Sequence, residues 1–154
     1  MKKSQKILGA SLIVLISATV IAFAHCQIPC GIYGDSTRFS LMREHVTTIE
    51  KSMNEIISIG KEKSPHNNQL VRWVMNKDDH ANELSEIVTY YFMAQRVKPV
   101  TSDKKAEYDK YVKQITLLHQ IMVESMKAKQ TTDLETCHKM STLIDQFETS
   151  YNSK

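Results

Sequence analysis

Residues 25–33 read HCQIPCGIY. His25, Cys26 and Cys30 are ligand types for a borderline or soft transition metal. Two more residues in the stretch control the backbone: Pro29 fixes its φ between the cysteines, and Gly31 permits a tight turn just after them. The tripeptide Ala22-Phe23-Ala24 stands immediately before His25. A chain cut at that point begins with a histidine, and its α-amine, with an ordinary pKa of about 7.7–8.0, can give up its proton to a metal near neutrality. Cys26 then offers a thiolate and, next to the amine, a backbone amide nitrogen that closes a five-membered chelate ring. Cys30 supplies a second thiolate. The set is two nitrogens and two sulfurs in a plane, with the His25 imidazole available axially. Tetragonal N,S ligation of this kind suits Ni(II) or Cu(II) rather than tetrahedral zinc.

The first 24 residues explain why such a cluster stands where it does. Lys2, Lys3 and Lys6 make a basic beginning, and from Ile7 to Ala24 there is no charge. A basic start, an apolar run and an A-x-A end form a secretory signal peptide. The predicted cut falls between Ala24 and His25, which sends the mature protein to the periplasm or outside the cell. The apolar run has about the length of a membrane span, so an uncleaved anchor is the competing reading. A lipid-modified Cys26 is disfavoured, because His25 occupies a place that needs a small residue.

Removing the leader changes the charge. The whole chain of 154 residues has 20 Lys and Arg against 17 Asp and Glu, a net charge of +3. The leader's three lysines account for that excess, so residues 25–154 are formally neutral. No basic run interleaved with aromatics is present, and nucleic acid is not an expected partner. Residues 25–154 fit one domain. Only four Gly and three Pro stand in the chain, and abundant Leu, Ile, Met, Lys and Glu favour helix over sheet.

Four apolar stripes of helical period follow the motif. Phe39, Met42, Val46, Ile49, Met53 and Ile56 form the first, closed by Gly60. Leu70, Val74, Ala81, Leu84, Val88 and Tyr91 form the second, widened by Trp73, Ile87 and Phe92, and Lys98-Pro99 ends it. The third runs through Tyr108, Tyr111, Ile115, Leu118, Met122 and Met126, and the fourth through Leu134, Cys137, Met140, Ile144, Phe147 and Tyr151. Thr132 and Glu135 have the spacing of a capping box. Four amphipathic helices joined by short loops predict an all-α, up-down-up-down four-helix bundle over about residues 36–151, preceded by a metal-binding hook. Methionines on the stripes are read as core.

The motif resembles that of the nickel superoxide dismutase family, whose signature at the mature N-terminus is H-C-x-x-P-C-G-x-Y. Every fixed position is present from His25 to Tyr33. The likeness extends through GIYGD, through TTIEKSM at 47–53 and through YYF followed by Lys98-Pro99. The resemblance implies a four-helix bundle assembled as a homohexamer, with one nickel ion per subunit. It implies that His25 gives its amine and imidazole, Cys26 its amide nitrogen and thiolate, and Cys30 its thiolate. Tyr33 would stand at the mouth of the site and position small anions and water. The implied reaction is disproportionation of superoxide to oxygen and hydrogen peroxide, with nickel alternating between Ni(II) and Ni(III). Two positions depart from the family pattern. Gln27 stands where many members have an acid. Met42 stands near a glutamate that holds the axial imidazole in some members, with Glu44 two residues on. Arg72 resembles one of the family's arginines and is a candidate for charge near the site.

Other chemistry fits the residues less completely. A disulfide would use Cys26 and Cys30 but leave His25, Pro29, Gly31 and Tyr33 without a role. A di-metal carboxylate bundle needs two E-x-x-H motifs, and only Glu135–His138 matches. Cys137-His138 lacks the C-x-x-C-H of a c-type haem. His45, His66, His80 and His119 share no ligand spacing and are read as surface or satisfied core. The non-enzyme alternative is an exported Ni or Cu carrier using the same hook without turnover.

Overall fold

The computed structural model describes residues 34–153. Among the described residues the fold has four α-helices: α1 (Asp35–Gly60), α2 (Asn67–Glu86), α3 (Lys105–Gln130) and α4 (Glu135–Asn152). A π-helical segment, Ile87–Arg96, continues α2. The connections are short, which favours antiparallel neighbours, and side-chain contacts establish the direction of each helix. Asp35 at the start of α1 meets Arg96 at the end of the π segment and Tyr151 near the end of α4. Lys110 near the start of α3 meets the Ser153 carbonyl at that same end. At the opposite end, Lys77 of α2 meets the last carbonyls of α3. The helices therefore alternate in direction, as the stripes predict, and no strand occurs among the described residues.

The core follows two of the stripes closely. Phe39, Met42, Val46, Ile49 and Met53 of α1 are buried, and so are Cys137, Met140, Ile144 and Phe147 of α4. Around Phe39, Phe92 and Phe147 the rings pack as a cluster: Phe92 meets Phe147 edge-on at 4.9 Å between centroids, and Phe39 lies 4.9 Å from Phe92. Tyr151 closes the cluster at 5.7 Å from Phe92. Tilted and edge-on geometries suit the ring quadrupoles and add about 0.5–1.5 kcal/mol per pair beyond burial.

Three details differ from the sequence reading. On α2, Ala81, Leu84, Val88, Tyr91 and Phe92 are buried, but Val74 is exposed. The predicted stripe of α3 is shifted: Gln114, Leu117, Leu118, Ile121, Ser125 and Ala128 face the core, whereas Met126 is exposed. The buried Gln114 is satisfied by donating to the Ser150 carbonyl at 3.1 Å, so a polar residue sits where an apolar pattern cannot announce it. The capping box at the start of α4 does not form. Asp133 Oδ1 accepts from the Glu135 amide instead, at 3.1 Å, which satisfies one of the orphan donors of the first turn.

The π segment is marked by a hydrogen bond from the Val97 amide to the Phe92 carbonyl at 2.8 Å, a five-residue closure. It ends before Lys98-Pro99, consistent with the restriction a proline places on its predecessor. None of the helices among the described residues is long and apolar enough to cross a membrane.

Candidate metal centre

The hook residues His25, Cys26, Cys30 and Tyr33 lie outside the described residues. The described chain begins one residue after Tyr33, at Gly34, which has extended backbone (φ −63°, ψ 141°) and leads directly into α1. The next residue, Asp35, fixes this end of the chain. Its Oδ1 accepts from the Tyr91 hydroxyl at 2.5 Å. Its Oδ2 accepts from Tyr151 at 2.8 Å and from Arg96 Nη2 at 2.6 Å. An acid in the first turn also suits the positive end of the helix dipole. Partial burial works against the Asp35 carboxylate, but hydrogen bonds from Arg96, Tyr91 and Tyr151 outweigh it and hold its pKa below the usual 3.8. The same contacts act on the donors: burial and the bond to Asp35 push the Tyr91 hydroxyl up to about 12. The Arg38 guanidinium stacks over the Tyr91 ring, 5.1 Å from its centroid. Arg96 is thus paired with Asp35, and Arg38 places a second guanidinium beside that pair where α1 begins.

A groove of about 380 Å³ runs from this end along the seam between α1 and α2, past Arg38, Leu41, Tyr90 and Tyr91, to His45 and Glu83. At that end of the groove, His45 and Glu83 converge with His80. His45 Nδ1 and His80 Nδ1 are 2.8 Å apart. Glu83 Oε2 lies 3.3 Å from each of them. The two imidazole rings are tilted at 45°, with centroids 5.1 Å apart. Burial lowers the pKa of His45; Glu83 opposes that shift and His80 adds to it. The sequence reading treated His45 and His80 as unrelated, and the structure corrects it. His45 comes from α1 and His80 from α2, so no spacing rule joins them. The available signal was local: His80 and Glu83 are three residues apart, one turn of one helix.

The other candidates are placed apart. Glu44 is exposed on α1 beside His45. Arg72 is exposed near the start of α2, beside Trp73 and Asp79 in a separate surface groove. That is the bundle end opposite Asp35, so Arg72 does not contribute charge where α1 begins. Glu135 and His138 are both exposed and line a shallow depression. Cys137 is a buried free thiol, 3.7 Å from Met53 Sδ, and burial pushes its pKa up to about 11. Such a thiol is a core residue and not a nucleophile.

An all-α four-helix bundle preceded by the sequence His25 to Tyr33 is the class of protein these observations define. The nickel-containing superoxide dismutase family matches residues 20–154, and the chain belongs to that family. It is a nickel-dependent oxidoreductase whose substrate is superoxide. No curated protein and no solved structure matches the chain.

Proposed function

We propose that the chain's own N-terminus, exposed by cleavage between Ala24 and His25, builds the nickel centre. The observation that carries this is the donor set: amine, amide nitrogen and two thiolates within six residues of a predicted cut site. The set fits nickel, because anionic amide and thiolate donors lower a Ni(III)/Ni(II) potential that N,O ligation would leave too high. When bound, nickel would supply the one-electron redox chemistry by which two superoxide ions and two protons give oxygen and hydrogen peroxide. His25 would hold the metal through its amine and imidazole. Cys26 and Cys30 would hold it through sulfur, and Cys26 also through its amide. Pro29 and Gly31 set the turn between these donors. Tyr33, next to the anchored Gly34-Asp35 corner, orients water and the small anion and screens larger molecules. Arg38, beside the Asp35–Arg96 pair, adds positive charge that favours the approach of a small anion.

Export to the periplasm or beyond and assembly into a homohexamer belong to the same proposal. Assembly is supported by an apolar patch on α2, where Val71 and Met75 are 56% and 58% exposed. A Ni or Cu carrier would need the hook but not turnover, and membership of a dismutase family favours the enzyme.

N-terminal sequencing of the active protein should read His25 first. One extra residue before His25 converts the amine to a peptide bond and should abolish nickel binding. Cys26→Ser should do the same while leaving the helical circular dichroism intact. A fully active enzyme retaining even one leader residue would overturn the proposal.

A further inference from the structure

We infer that His45, His80 and Glu83 form a second metal site, separate from the N-terminal hook, for a borderline first-row divalent cation such as Zn(II). Three observations carry this. The first is donor geometry. Metal–ligand distances of about 2.0–2.2 Å place adjacent donors about 3.0 Å apart in octahedral and about 3.4 Å apart in tetrahedral coordination. The three separations here are 2.8, 3.3 and 3.3 Å. They therefore match three donors already facing one ion, with small adjustment of the rings.

The second is proton bookkeeping. Two neutral imidazoles whose Nδ1 atoms face each other share one proton, leaving a lone pair on the other nitrogen. That lone pair and the Glu83 carboxylate are only 3.3 Å apart, an arrangement of two acceptors. A cation turns the repulsion into ligation by all three.

The third is mounting. His45 sits on α1, whereas His80 and Glu83 share one turn of α2. Among the described residues these three are the cluster whose donor atoms meet in this way. Two imidazoles and one carboxylate, with no thiolate, select a transition-metal dication over Ca(II) or Mg(II). Three protein ligands leave further positions open toward the groove, where water or a small anion completes the shell. The ion would clip α1 to α2.

The test uses the full mature chain carrying Cys26→Ser and Cys30→Ser, which removes the hook's thiolates; the variants at His80 and Glu83 then separate the proposed site from the nitrogen donors that remain at His25. Co(II) titration should show one ion per chain, with weak d–d bands, no sulfur-to-metal charge transfer, and displacement by Zn(II). His80→Ala and, separately, Glu83→Gln should each weaken binding at least tenfold. Zn(II) should raise the melting temperature of the parent and not that of Glu83→Gln, a partly exposed position whose change leaves the core alone. Unchanged Co(II) affinity in both variants, or no stoichiometric binding in the parent, overturns the site.

Discussion

Asp35 and Lys77 are ions held at opposite ends of the bundle, and their surroundings differ in kind. Asp35 is held by side chains, with two hydroxyls and a guanidinium arriving from the π segment and α4. Lys77 is held mainly by backbone. Its ammonium donates to the carbonyls of Ala128 and Lys129 at 2.6 and 2.7 Å, and to Asp78 at 2.9 Å. Those carbonyls belong to the last turn of α3, where no intrahelical donor reaches them and the helix dipole is negative. Lys77 is 3% exposed, whereas the Asp35 side chain keeps 23% of its surface. The buried lysine closes a helix end and has few substitutes. The Asp35 network is distributed, so its members can be removed one at a time.

The largest expected effect is therefore at Lys77. Lys77→Ala leaves two buried carbonyls without a donor and opens space along its stem, and should cost about 3 kcal/mol in urea denaturation. Lys77→Met keeps the stem and should recover part of that loss. An equal loss in both would place the whole effect in the charge.

Asp35→Asn comes next. The amide oxygen still accepts, but the NH2 group replaces an acceptor and the charge facing Arg96 is lost, which should cost about 1–2 kcal/mol near neutrality. The sign with pH is fixed by the depressed carboxyl. Its stabilisation is present above the unfolded value of 3.8 and is lost as pH falls through the lower folded value. Wild type and Asp35→Asn should thus converge in strongly acid solution. A gap that persists at acid pH would mean that shape, and not charge, holds this corner.

The smallest effect is expected at Tyr151→Phe. It deletes one of three donors to Asp35 and keeps the ring against Phe39, Phe92 and Phe147. Thermal denaturation should report a loss of about 1 kcal/mol. A loss as large as that of Asp35→Asn would show that the network fails as a unit.

The sequence was readable wherever one helix carried its own signal. The stripes of α1 and α4 are apolar at nearly every core position, so their period alone identifies Met42 to Met53 and Cys137 to Phe147 as core. On α3 the buried faces of Gln114 and Ser125 are polar, and a neighbouring run through Tyr111, Ile115 and Met122 gave a more convincing stripe one step around the helix. Those three pack on the flank of the core. The hook's donor set could be proposed from the sequence because His25, Cys26 and Cys30 fall within six positions of the chain. The His45–His80 contact was not, because it joins residues on different helices. Asp35 was equally silent, since its three donors lie 56 to 116 residues away. A long-range polar contact leaves no periodic trace.

Tyr91 and Arg96 both grip Asp35, although they stand five positions apart. In an α-helix five steps of about 100° would set them roughly 140° apart. The wider winding from Ile87 to Arg96, with its five-residue closures, brings them onto one side. The segment thus stores a spare residue. Deleting the exposed Ala94 would leave Tyr91 and the arginine four apart, about 40° from alignment in ordinary α winding. The chain could shorten by one there and keep its hold on the corner where α1 begins, while an added residue would have no slack left to absorb it.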